Sequence, residues 1–178
     1  MITIKPNSNK FNKKRTDQLE SDLCLSFPNE FIEFLEKYNG GTPSLNKVIS
    51  EEAPDFILSS FFGTDLESYE DILMCYKTFK GRIPEGCVPI AGDIGGNIIC
   101  LNLNKEKYGY VYFWDHEEEL MVEEGEMQLN HLYLITTSFN KFLNMIQEDN
   151  TDADDLDEYE VEEVWIDPEF LKELNNEK

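Results

Sequence analysis

Between Cys87 and Ile135 the chain repeats one pattern. CVPIA, NIICLNL, GYVYFWDH and HLYLI are short apolar and aromatic runs divided by turn residues, with LMVE at 120–123 as a further run. Parallel neighbours in a sheet need long crossover connections, usually helical, and the connections here are too short to hold them. The strands are therefore expected to be mostly antiparallel.

Helical patterns flank and interrupt these runs. In FPNEFIEFLEKYNGG, Phe31, Phe34, Leu35 and Tyr38 recur at i, i+3, i+4 and i+7. Pro28 and Glu30 suit the first turn, and Asn39-Gly40-Gly41 supplies left-handed conformations to end it. A shorter helix is predicted over Thr16–Leu25. DFILSSFFG (55–63) has strand composition, after which SYEDILMCYKTFKG changes period: Ser68 with Asp71 resembles a capping box, Ile72, Cys75, Tyr76 and Phe79 form a stripe, and Gly81 is a stop. SFNKFLNMI closes the core with a last helix, Ser138 its N-cap and Phe139, Phe142, Leu143 and Ile146 its buried face. The class is α+β, an antiparallel β-sheet with helices packed around it.

At 178 residues the chain suits one domain, and a core of that size buries roughly 70% of the unfolded surface, with no need of a disulfide or metal staple. Charge sets it apart: 37 acidic against 15 basic residues give −22. Such a field repels nucleic acid and anionic membrane and speeds encounter with a basic protein. Residues 147–178 carry 14 acidic and 2 basic residues, −12 of that total. Three parts follow: a basic head over 1–16 with Lys5, Lys10, Lys13, Lys14 and Arg15; a domain over 17–147; and an acidic extension over 148–178. In the extension Asp167-Pro168-Glu169 reads as the start of a short terminal helix. The N-terminus lacks a continuous apolar segment, and no stretch approaches the roughly 20 apolar residues of a membrane span, so a cytoplasmic protein is expected.

Several constellations invite chemistry. AGDIGGNIICLNL has glycines at 92, 95 and 96, but it lacks GxxxxGK[ST], misses the GxGxxG spacing and leads into a strand, so no helix N-terminus is there to hold phosphate. It reads as a tight turn before a central strand. Cys24, Cys75, Cys87 and Cys100 form no CxxC pair and sit among apolar neighbours, as reduced buried thiols do. His116 and His131 are the two histidines; Cys100 with His116, on neighbouring strands, is the pairing from which a hydrolase could be built. Seven acids between Asp115 and Glu126 share one solvated setting, whereas a glycosidase pair needs two environments. DNTDADDLDEYE fits no EF-hand register: from Asp149 the glycine position holds Asp154, and from Asp152 position five holds Leu156. No metal or cofactor is expected. Tyr110, Tyr112 and Trp114 share one strand face and Val111 and Phe113 the other. With one helix layer on the sheet, the second face is expected to be left for a partner or for the C-terminal extension.

FPNEFIEFLEKYNGG, FFGTDLESYEDIL, RIPEGCVPIAGDIGGNIICLNL, GYVYFWDHEEE and SFNKFLNMI, in that order, resemble the SMI1/KNR4 (SUKH) superfamily over residues 17 to 147. The helix ending in Asn-Gly-Gly and the PIAGDIGGNIICL strand entry carry most of the resemblance. It implies an α+β protein-binding module, not an enzyme. Bacterial members are typically immunity proteins that neutralise a cognate toxin, often a nuclease; fungal members act in cell-wall regulation and signalling, the alternative role. A basic toxin domain is thus the expected partner. The expected contacts are Asp93, Asp115, Glu117, Glu118, Glu119, Glu123 and Glu124, with Asp154, Asp155 and Asp157 secondary, and Tyr110, Tyr112, Trp114 or Trp165 as an aromatic anchor.

Overall fold

Asn39 ends the predicted amphipathic helix as its composition demands. In the computed structural model, which describes residues 2–7, 9–66, 69–117 and 132–148, helix α2 spans Asn29–Tyr38 and buries Phe31, Phe34 and Leu35. Asn39 then turns left-handed at φ 47° and donates its N–H to the Leu35 carbonyl. Two residues on, Gly41 sits at φ 114°, where an added β-carbon would collide with the Lys5 carbonyl oxygen, so only glycine fits. The Asn39 side chain is buried and ties three segments. Its Oδ1 accepts from Thr64 N (2.9 Å) and its Nδ2 donates to the carbonyls of Thr64 (2.9 Å) and Asn9 (3.2 Å).

Helix α1 (Lys13–Leu23) starts three residues before the predicted Thr16 and stops at Cys24 (φ 54°). The Asn12 carbonyl accepts from both Arg15 N and Thr16 N, which draws the first turn back into the basic segment. That segment is not detached. Strand β1 (Ile4–Lys5) pairs antiparallel with β2 (Thr42–Pro43), Ile4 is buried, and Arg15 lies 3.2 Å from Asp65.

The main sheet is antiparallel throughout. Its strands are β3 (Lys47–Val48), β4 (Phe56–Phe61), β5 (Cys87–Asp93), β6 (Ile98–Asn102), β7 (Val111–Trp114), β8 (Leu132–Thr136) and β9 (Ile146–Gln147). Their order is β8-β7-β6-β5-β4-β3-β9. The short connections between β5, β6 and β7 require the antiparallel arrangement of those strands. The register shifts at Leu58/Ser60, Pro89/Ala91 and Val111/Tyr112, and such irregularities curl a sheet. Pro89, which has no N–H for a ladder, sits at one of them.

Pairing sorts the side chains into two rows. Phe61, Ala91, Ile99 and Phe113 lie opposite one another across β4, β5, β6 and β7, and so do Ser60, Gly92, Ile98 and Trp114. Neighbours across a ladder share a face. The Phe61 row faces α2 and α4 (Phe139–Met145): Phe61 meets the rings of Phe34, Phe139 and Phe142. Ser138 caps α4 as predicted, accepting from Lys141 N, and Glu30 of α2 also accepts from Phe139 N at 2.7 Å. The other row faces α3 (Ile72–Thr78), where Phe79 meets Trp114 at 5.5 Å and the Arg82 guanidinium lies 5.2 Å from both rings.

The second face is therefore only partly open, because α3 and the segment after it cover Trp114 and leave a groove beside it. Asp71 is the cap of α3: its Oδ1 accepts from Met74 N and its Oδ2 from Leu66 N. Ser68, the LMVE run and the terminal helix expected near Pro168 lie outside the described residues.

Candidate functional site

The glycine-rich turn of residues 94–96 joins β5 to β6. Asp93 N donates to Asn97 O, and Gly96 holds φ 90°, the left-handed residue that a three-residue hairpin loop needs. Asp93, an expected contact, is half-buried and engaged: its Oδ1 accepts from Asn97 N at 2.7 Å and its Oδ2 from Asn97 Nδ2 at 2.9 Å. A carboxylate only accepts, so the Asn97 amide must point its NH₂ at Asp93 and its oxygen away. That oxygen meets His116 Nδ1 at 2.8 Å and His116 N at 3.2 Å. Nδ1 is thus the protonated nitrogen, and His116 ties the end of β7 to the turn.

This use of His116 separates it from Cys100. The ring lies against Gly96 in the turn before β6, whereas Cys100 is the third residue of β6. Cys100 is fully buried opposite Tyr112, and burial pushes its thiol well above the usual range. No nucleophile and base are assembled from this pair. His131 lies outside the described residues.

Between α3 and the turn runs a groove of about 280 Å³. Phe62, Tyr69, Met74, Cys75, Phe79 and Ile98 form its apolar wall, and Ser60, Asp93 and Asn97 give it a polar edge. Tyr69 is 78% exposed and Met74 50%. The Cys75 thiol donates to the Tyr69 carbonyl at 2.7 Å and so holds the loop against the helix. Burial pushes that thiol up to about 12, and the charges of Asp71 and Glu70 push in the same direction. Sequence reasoning did not reach this groove. The available signal was Met74, an apolar residue off the Ile72/Cys75/Tyr76/Phe79 stripe of its own helix.

The expected anchors fall elsewhere. Trp114 is 1% exposed and Tyr112 5%, so both serve the chain's own core, and Lys107 Nζ lies 5.8 Å from the Tyr112 ring. Tyr110 is half-buried. Asp115 is half-buried and accepts from Glu117 N at 2.9 Å, while Glu117 is exposed. Glu118, Glu119, Glu123, Glu124, Asp154, Asp155, Asp157 and Trp165 lie outside the described residues. A second cleft, about 430 Å³, is lined by Ile49, Glu51, Glu52, Leu134, Ile135 and Met145. It is the seam where the curled sheet brings β8 near the chain that follows β3. Among the described residues no cluster of three His, Cys, Asp or Glu could hold a metal ion, and no helix is long and apolar enough to cross a membrane.

The chain resembles the SPbeta prophage-derived uncharacterized protein YokK of Bacillus subtilis (strain 168), with 25% identity over 163 residues, covering 79% of this chain and 77% of the relative. The family model SMI1 / KNR4 family (SUKH-1) matches residues 11–145, a span that takes in α1, the phenylalanine core, the hairpin turn and α4. This chain is a member of the SMI1/KNR4 (SUKH-1) family.

Proposed function

We propose that this protein is an immunity protein, a cytoplasmic inhibitor that binds a cognate toxin stoichiometrically and neutralises it without catalysis or a cofactor. The observation that carries this reading is a SUKH-1 domain joined to a net charge of −22. A nuclease must present a basic cleft to phosphates, and an acidic partner occupying that cleft blocks substrate and is steered to it by the same field. The prophage origin named for the Bacillus subtilis relative is in keeping with a toxin and immunity pair.

Asp115 and Glu117 begin the acidic run at the hairpin end of the sheet, and Glu118, Glu119, Glu123 and Glu124 continue it in sequence. These are the proposed contacts, with Asp154, Asp155 and Asp157 secondary. Asp93 contributes through its charge, since Asn97 holds its oxygens.

Coexpression with the product of the neighbouring gene tests the reading. Growth rescue with a 1:1 complex that weakens as salt rises supports it; a toxic neighbour that neither binds nor is neutralised overturns it. A neighbouring gene that encodes no toxin points to the regulatory binding role instead.

A further inference from the structure

We infer that the groove between α3 and the 94–96 turn receives one large apolar side chain, aromatic or branched, from a partner segment flanked by lysines or arginines. This deepens the reading of the chain as a protein-binding module and rests on it.

Size is the first argument. An apolar cavity of roughly 150 Å³ accepts benzene, so about 280 Å³ has room for a phenyl or indole ring. It is also below the roughly 300–1,000 Å³ usual for small-molecule pockets. Exposure is the second. Ile49, Tyr69, Met74, Ile94 and Tyr108 are the exposed large apolar side chains among the described residues. Tyr69 and Met74 line the groove, and Ile94 lies in the turn between the lining residues Asp93 and Gly96. Apolar groups gathered at one mouth, unlike single ones scattered over a surface, mark an interaction site.

Charge selects the occupant. Asp93 is at the edge, Asp71 and Glu70 act on Cys75 in the wall, and Asp115 and Glu117 flank His116, which is bonded to Asn97 beside the same turn. Among the described residues no Lys or Arg lines the groove; Lys77 lies within α3, and Arg82 lies over the Phe79 and Trp114 rings beside it. A second copy of the chain, also at −22, is repelled, whereas a basic segment is attracted and the desolvated anchor supplies the tight contact.

The test is a titration of the full-length, ¹⁵N-labelled protein with the peptide acetyl-Lys-Lys-Trp-Lys-Lys-amide, its Trp→Ala form and a form with glutamates for lysines. Saturable shifts at the amides of Met74, Gly92 and Gly96 are expected. Binding should weaken at least tenfold for the Ala and Glu peptides and at least fivefold in Met74→Lys, whose remaining spectrum should match wild type. Met74→Ala, which adds no charge, checks that the loss comes from the groove. Equal binding of the Ala peptide, shifts confined to other surfaces, or no shifts at millimolar peptide would each overturn the inference. Failure of growth rescue alongside the expected titration would remove the immunity role and leave the groove. Growth rescue by the wild-type protein, with no binding of the peptide to it, would do the reverse.

Discussion

On one face of the sheet Phe31, Phe34, Phe61, Phe139 and Phe142 interlock, with Phe139 edge-on to Phe31 at 4.9 Å and to Phe34 at 5.1 Å. On the other face the seven residues of α3 and Phe79 cover Trp114 but leave a groove beside it. Two helices, one of them ten residues long, fill the first face; a single short helix cannot span the second. Close packing converts burial into stability, while an unfilled apolar wall leaves surface that another molecule can bury. One sheet thus devotes its two faces to different ends.

The contrast predicts a ranking. Phe139→Ala, at a fully buried ring in contact with four others, should cost about 3–5 kcal/mol in urea denaturation. A loss below 1 kcal/mol would show that the phenylalanine cluster is not the stabilising centre.

Alkaline pH should act on the α3 face instead. Burial, then Asp71 and Glu70, raise Cys75 from 9 to about 12, and burial raises Cys87 to about 11. Above pH 9 the unfolded chain therefore loses thiol protons that the folded chain keeps, so stability present below pH 9 is lost between about pH 9 and 12. Urea midpoints should fall over that range, less steeply in Cys75→Ala. For the same reason exposed Cys24 should react rapidly with a disulfide reagent at pH 8, and the three buried thiols only once denaturant is added.

Asn39→Ala leaves Thr64 without buried partners and should cost about 1–3 kcal/mol. Gly96→Ala, at φ 90°, should cost about 1–2 kcal/mol. At the far end, Met74→Ala should change stability by no more than about 0.5 kcal/mol. Its effect belongs to binding, and a larger stability loss would place Met74 in the core and erase the contrast.

Much of this architecture was legible because it rests on local chemistry. The i, i+3, i+4 pattern of Phe31, Phe34 and Leu35, the Asn-Gly-Gly stop, the Ser138 cap and the glycine turn each depend on residues a few positions apart. Strands β1, β2, β3 and β9 were not legible, since each is two residues long and is held by pairing with distant chain. The last helix was expected to include Ile146, but that residue turns extended to pair with Val48. The acids at 115 and 117 could be located by composition, whereas the groove could not, because its walls come from β4, α3, β5 and β6.

By itself the sequence determined the antiparallel class, the helices that carry the core, the family and the negative field, all properties of short-range spacing or of summed charge. Tertiary structure alone decided that helices pack on both sheet faces, that Trp114 and Tyr112 are core, that Glu30 caps a helix 109 residues away, and that Asp93, Asn97 and His116 form one network. The glycine turn became one wall of a groove for the same reason. These outcomes depend on which distant segments meet and how much volume they leave between them, and no local pattern encodes that.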